Sequence, residues 1–317
     1  MNVTEQRSTG VTESRPSQDR ARRRPPSAAR TLVLCLAEAR PSVQAVFLLR
    51  FAVAFLMGTG TAAPDLPALA AGATAWTLAT LYVYVINGVH DAPEDRLNAT
   101  GRPIGRGELP PLRARTVAHA CAVLAVLVSV TSGVPALTPL VIVHLLCGHA
   151  YSAPAVALKR RTSTTVAAVL LLGGLTFAAG WTTAGGRADT LPVIVFGGAL
   201  TLWMGAVGAL VKDLSDVRGD AAAGRRTALI RWGERRARVV CALNPVALAL
   251  AYLTTAAVVV PSLLASAAVL LAGAVVTACL VRTTSSDAPR RRSRLPYRAF
   301  MLTQYATCLV QLTTELS

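Results

Sequence analysis

Carboxylates are scarce in this chain of 317 residues: 16 Asp and Glu stand against 32 Lys and Arg, and the charged residues together make up only 15%. A soluble globule carries about a quarter charged residues, so this balance excludes that class. Histidine is sparse as well. His90, His119, His144 and His149 are dispersed without ligand spacing, which excludes a histidine-built metal centre and leaves packing or hydrogen bonding as the expected role of each. The six cysteines (Cys35, Cys121, Cys147, Cys241, Cys279, Cys308) lack any paired spacing, which excludes a zinc or redox motif and predicts buried thiols. Aromatic residues reach only 5%; Tyr82, Tyr84, Phe177 and Trp203 are candidates either to line a pocket or to pack a bundle. The first 30 residues, rich in Arg, Ser, Thr and Pro, have no apolar central stretch. That excludes a signal peptide there, and residues 1–36 are expected to be a disordered basic tail near anionic lipid, with one domain over 37–317.

What the chain has in excess is apolar length. Hydrophobic residues make up 53%, mean hydropathy is +0.49, and runs near 20 residues recur. Spans are expected near 42–60, 66–87, 115–132, 135–151, 164–183, 190–211, 238–259, 262–281 and 298–314, an all-α transmembrane bundle of about nine helices. Basic residues segregate to one side of that topology. Only Arg187 falls in an opposite-side loop and only Arg50 within the first span, where it is expected to face a polar interior or to snorkel. Such segregation predicts a multi-pass protein of the cell membrane with its N-terminus and long polar loops in the cytoplasm, the loops capping the bundle. Topology accounts for the positive charge, so no nucleic-acid partner is expected.

Six of the sixteen carboxylates lie in two short windows, Asn87-Gly-Val-His-Asp91-Ala-Pro-Glu-Asp95 and Lys212-Asp213-Leu-Ser-Asp216-Val-Arg-Gly-Asp220. Grouped acids at a membrane boundary repel one another, and oxygen-rich clusters suit Mg²⁺. Asn87, Asp91 and Asp95 stand at i, i+4, i+8, one stripe of a continuous helix. Pro93 is expected to end that helix near Ala92, leaving Asp95 in the loop. Asp213, Asp216 and Asp220 follow i, i+3, i+7 and share a face. Four crossings separate the two helices, so both end on the same side and can converge on two Mg²⁺ ions that bridge carboxylates to a diphosphate. Arg102, Lys159, Arg160 and Lys212 are candidates to neutralise the remaining phosphate charge, with Arg96, Arg106, Arg161 and Arg218 behind them. Glu94 and Glu108 are expected to be solvated loop carboxylates. An ion-conducting role is disfavoured, because the acids sit at span ends on one side rather than near the midplane.

These windows resemble the two aspartate-rich motifs of the UbiA superfamily of intramembrane prenyltransferases. The first continues into Arg102-Pro103-Ile104, and the second into Gly219-Asp220 and Gly224-Arg-Arg-Thr227. Arg40-Pro41 and Tyr151-Ser152-Ala-Pro154 with Lys159-Arg160 extend the likeness over residues 37 to about 230. The resemblance implies cleavage of an allylic prenyl diphosphate with two Mg²⁺ ions and capture of the carbocation by a small aromatic or lipid-like acceptor, in an apolar chamber embedded in membrane lipid with its charged groups at the cytoplasmic mouth. It assigns metal binding and catalysis to Asn87, Asp91, Asp213 and Asp216 or Asp220 with Asp95 in support, and diphosphate binding to Tyr151 and the four leading cations. One position departs: the family commonly has aspartate directly after the motif asparagine, and this chain has Gly88. Cyclisation of the donor without an acceptor is the alternative outcome.

Overall fold

In the computed structural model residues 26–317 are described, and every regular element among them is helical. An amphipathic helix α1 (Ala28–Glu38) leads into α2 (Pro41–Thr59), α3 (Leu66–Leu97), α4 (Pro111–Thr131), α5 (Leu137–Ser152) and α6 (Thr162–Thr183). Then come α7 (Thr190–Leu202), a wide π-turn over Trp203–Gly208, α8 (Ala209–Ala222), the short α9 (Ala228–Trp232), α10 (Glu234–Val259), α11 (Leu264–Thr283), α12 (Arg290–Ser293) and α13 (Leu295–Leu316). Among the described residues seven helical stretches are long and apolar enough to cross a bilayer; α5, with 16 residues, and α13 complete the set expected from the sequence. In hydrocarbon each backbone N–H and C=O must find its partner within the segment, so apolar runs of this length fold as helices. Asp65 caps α3 by accepting from Ala68 N (2.9 Å), and Asp189 caps α7 by accepting from Leu191 N (3.0 Å).

Two expectations about the ends of elements are corrected. Helix α1 occupies residues assigned to the disordered tail; the rest of that tail lies outside the described residues, apart from Pro26 and Ser27. Helix α3 does not stop at Ala92 but runs through Pro93 to Leu97. Pro93 is solvent-exposed, so water can satisfy the carbonyl that loses its N–H partner, while Asp91 and Asp95 on the opposite face stay packed.

Lipid-facing and bundle-facing sides separate by residue type. Val258, Leu146, Leu243 and Ile194 are largely exposed, as residues against lipid should be. The interior relies on close backbone approach at small residues. A Cβ on Gly180 would lie 2.2 Å from the Phe51 carbonyl oxygen, and one on Gly208 would lie 2.2 Å from Cζ of Phe300; both sites demand glycine. At the π-turn the widened ladder is supported from outside, with Asn244 Nδ2 of α10 donating to Ala206 O (3.2 Å).

Length decides where the motifs sit. Helix α3 has 32 residues, about 48 Å at 1.5 Å per residue, against a hydrocarbon core of about 30 Å. About twenty residues from Leu66 cross that core, so the motif beginning at Asn87 projects beyond it. The stretch Thr190–Ala222, 33 residues long, does the same with Asp213, Asp216 and Asp220.

Candidate functional site

Both projecting helix ends meet. Gly219 N of α8 donates to Asn98 Oδ1 at the end of α3 (2.9 Å), and a Cβ on Gly219 would come within 2.2 Å of the Asn98 amide. Beneath this junction lies a chamber. Asn87, Asp91, Tyr151, Lys159, Lys212 and Asp213 all line it, together with Arg225. Deeper in, the lining turns apolar with Phe47, Leu172, Met204 and Phe300, and it closes on Gln304 and His144. The two motifs therefore share one mouth above a greasy interior.

Cations hold the acids in place. Arg225, in the loop after α8, has its Nη2 3.1 Å from Asp91 Oδ1 and its Nη1 3.2 Å from Asp220 Oδ1, and it also pairs with Glu94. One guanidinium thus spans the two motifs. Burial works against its charge, but Asp91, Asp220 and Glu94 outweigh that and hold its pKa above the ordinary arginine value. Lys159 pairs with Asp91. Asp216 is held at 3.1 Å by Arg290 and at 3.7 Å by Lys212. Asp95 faces away from the chamber and takes Arg102 Nη1 at 3.0 Å. Asn87 donates to Ser152 Oγ (3.1 Å), which fixes its amide against α5. Asp213 forms no ion pair among the described residues and looks into the chamber.

Of the predicted cations, Lys159 and Lys212 reach the chamber. Arg102 acts behind it, and Arg160 is exposed and outside it. Glu94 is not the solvated loop carboxylate expected; it sits on α3 and is drawn into the Arg225 pair. Glu108 pairs with Arg106 at the surface (2.9 Å). Arg50 does not snorkel: it is fully buried, donating to Gln304 Oε1 (2.7 Å) and Leu200 O (3.0 Å), 5.7 Å above the Phe177 ring. Tyr82 and His149 bond each other (2.9 Å), and His144 packs against Trp76, so these two histidines serve hydrogen bonding and packing. Three participants were not singled out in the sequence. Arg225 and Asn98 lie inside the motif-like stretches, which was the available signal; Glu38 stands two residues before Arg40-Pro41 and carried none.

The donors offered to a cation are all oxygen, and Asp220 Oδ2 is buried without a hydrogen-bond partner. Among the described residues no three acids, cysteines or histidines close into a cage. That set fits Mg²⁺, which binds through one or two carboxylates plus substrate phosphate oxygens in preference to a closed protein cage.

Residues 47–303 match the profile of the UbiA prenyltransferase family. Among curated relatives, the digeranylgeranylglyceryl phosphate synthase of Natronomonas pharaonis is 35% identical over 195 residues, 61% of this chain and 66% of that protein. The synthase of the same name from Methanoculleus marisnigri is 32% identical over 216 residues, 67% of this chain and 74% of that one. Among solved structures, a UbiA homologue from Archaeoglobus fulgidus bound to GPP and Mg²⁺ superposes with a TM-score of 0.67 over 90% of this chain and 100% of that one, at 19% identity. A digeranylgeranylglyceryl phosphate synthase structure gives 0.62 over 90% and 99%, at 15% identity, so the backbone fold is shared where sequence has diverged. Profile, fold and paired acidic helix ends agree, and the chain belongs to the UbiA prenyltransferase family.

Proposed function

We propose that the protein is a Mg²⁺-dependent transferase that ionises an allylic prenyl diphosphate at the mouth of the chamber and joins the prenyl group to a lipid-like acceptor. The observation that carries this reading is the meeting of two acid-bearing helix ends, with Lys159, Lys212 and Arg225 beside them, over an apolar cavity. Breaking the C–O bond leaves both electrons on the departing diphosphate, where the three cations neutralise charge that grows as the bond lengthens. Two Mg²⁺ ions, held by Asn87, Asp91 and Asp213 with Asp220 in support, would supply further neutralisation of those oxygens. The apolar walls keep water from the allylic cation until an acceptor nucleophile forms the new bond and loses its proton. The solved neighbour with GPP and Mg²⁺ supports the donor class and the metal. The segregation of basic residues to one face supports a cytoplasmic N-terminus.

A second cavity of about 580 Å³ favours an anionic lipid acceptor over a neutral aromatic one. It adjoins the chamber through Arg40, Val43, Tyr297 and Met301, and Arg102, Arg106, Arg294 and Arg298 line it with no carboxylate. Among the described residues Arg40 and Arg298 make no ion pair. A phosphate-bearing glycerolipid matches that lining, in keeping with the glyceryl phosphate in the names of the relatives. The test is product mass spectrometry with purified protein, Mg²⁺ and a panel of prenyl diphosphates, first alone and then with prenylglyceryl phosphate or with neutral aromatic acceptors. Prenylated lipid phosphate and stoichiometric pyrophosphate are expected. A cyclic hydrocarbon from the donor alone would identify a cyclase, and no Mg²⁺-dependent pyrophosphate from any donor would overturn the reading.

A further inference from the structure

The carboxylate missing at Gly88 has a counterpart in space. A Cβ on Gly88 would lie 2.0 Å from Glu38 Oε1, 2.8 Å from the Glu38 carboxyl carbon and 2.5 Å from Arg102 Nη2. The volume that an aspartate would enter at this position is already filled by an acid arriving from the last residue of α1. Glu38 is fully buried, and its surroundings are built rather than incidental. Its Oε2 accepts Ile104 N (2.9 Å), and its Oε1 faces Arg102 Nε at 2.7 Å. Arg102 Nη2 is fastened to the carbonyl oxygens of Glu38 and Tyr84, both at 3.0 Å. Only Nη1 is left to reach the motif, at 3.0 Å from Asp95 Oδ2 and 3.5 Å from Asn87 Oδ1.

We propose that Glu38 is a positioning residue that supplies from α1 the carboxylate this chain lacks at position 88, orienting Arg102 and sharing its charge with Asp95 so that Asn87, which lines the chamber, keeps its affinity for a divalent cation. Charge counting gives the reason. Arg102 alone with Asp95 would form a closed neutral pair and draw on the Asn87 amide oxygen as well. With Glu38 present the buried group of three carries a net negative charge, and the guanidinium is held at a fixed angle by three contacts on its far side. Burial pushes the Glu38 carboxyl above the usual carboxylate range, opposed by Arg102 and the Ile104 amide, so the group depends on that cation for its ionised form. Groups that stand behind metal-facing side chains typically change metal affinity or activity by about 10- to 100-fold when removed.

This inference rests on the metal reading of the site, so the test separates the two. Mn²⁺ binding in the presence of a non-hydrolysable prenyl diphosphate analogue is followed by EPR on full-length protein in nanodiscs, for wild type, Glu38→Gln, Glu38→Ala, Gly88→Asp and the Glu38→Ala/Gly88→Asp double variant. Glu38→Gln, nearly isosteric, is expected to fold and to raise the Mn²⁺ half-saturation about tenfold. Gly88→Asp alone is expected to bind poorly because its side chain collides with Glu38. The double variant is expected to return to within about threefold of wild type, since the acid has been moved rather than lost. A purely structural Glu38 would show neither the shift in Glu38→Gln nor the rescue. Equal half-saturation in wild type and Glu38→Gln, or no recovery in a folded double variant, overturns the role of Glu38 alone; no Mn²⁺ binding in the wild type overturns the functional reading and this one with it.

Discussion

Replacing Arg225 by alanine should be among the most damaging single changes at the mouth of the chamber. Its guanidinium contacts Asp91 at 3.1 Å and Asp220 at 3.2 Å and also pairs with Glu94. A hydrogen bond to a charged group contributes about 1.5–3 kcal/mol, and stripping one partner from a buried pair costs about 3–5 kcal/mol. The acids do not suffer equally. Asp91 keeps Lys159 and faces the chamber, whereas Asp220 is 2% exposed and already has Oδ2 without a partner. Most of the loss therefore falls on Asp220, and about 3 kcal/mol is expected, roughly a 150-fold change in the folding equilibrium. Arg225→Lys keeps the charge but not the fork that reaches both motifs, so about half that loss should remain. Adding Glu94→Gln to Arg225→Ala removes one of the mutually repelling acids and should restore about 1 kcal/mol. Denaturant unfolding in detergent, followed by tryptophan fluorescence, measures all four proteins. Alanine and wild-type proteins with the same midpoint, or no recovery in the double variant, would refute the argument that one arginine balances three acids.

Asp91→Ala or Asp213→Ala should abolish Mg²⁺-dependent pyrophosphate release while the protein stays folded in detergent; near wild-type turnover in both would overturn the metal assignment. Arg294→Gln/Arg298→Gln should raise the KM for a phosphate-bearing acceptor by about tenfold, the value of one lost charge-assisted contact of about 1.4 kcal/mol, and leave the donor KM unchanged. Arg50→Met should fold, because Arg50 has no carboxylate partner among the described residues and methionine can fill its apolar surroundings. Removing that cation from beneath Gln304 at the chamber floor should shift donor preference toward longer prenyl chains, read as the ratio of kcat/KM for C20 over C10.

How much of this was legible beforehand follows from the range of the interactions involved. Apolar runs of bilayer length are a local signal, so the spans could be placed from sequence, and parity alone put both acidic windows on one side. The meeting of Asn98 with Gly219, and of Arg225 with Asp91, joins residues more than a hundred positions apart, and no local pattern encodes such a pairing. Pro93 misled for a specific reason: its penalty assumes a carbonyl shut away from water, and here the last turns of α3 stand outside hydrocarbon. Helix α1 was hidden by its neighbours, since eleven residues next to an Arg- and Pro-rich stretch carry no run long enough to register as a span. The side-chain pairing of Glu94 was invisible because a motif glutamate and a solvated one look alike until the arginine opposite them is known.

The π-turn over Trp203–Gly208 divides a single rod into two segments under different constraints. Below it, Thr190–Leu202 is governed by lipid contact and by packing with α2, α6 and α10; above it, Ala209–Ala222 is governed by where its acids must point. An uninterrupted helix would lock these demands together, because each residue turns the next by about 100°. With slack at the junction, substitutions in the greasy half need not rotate the acidic half.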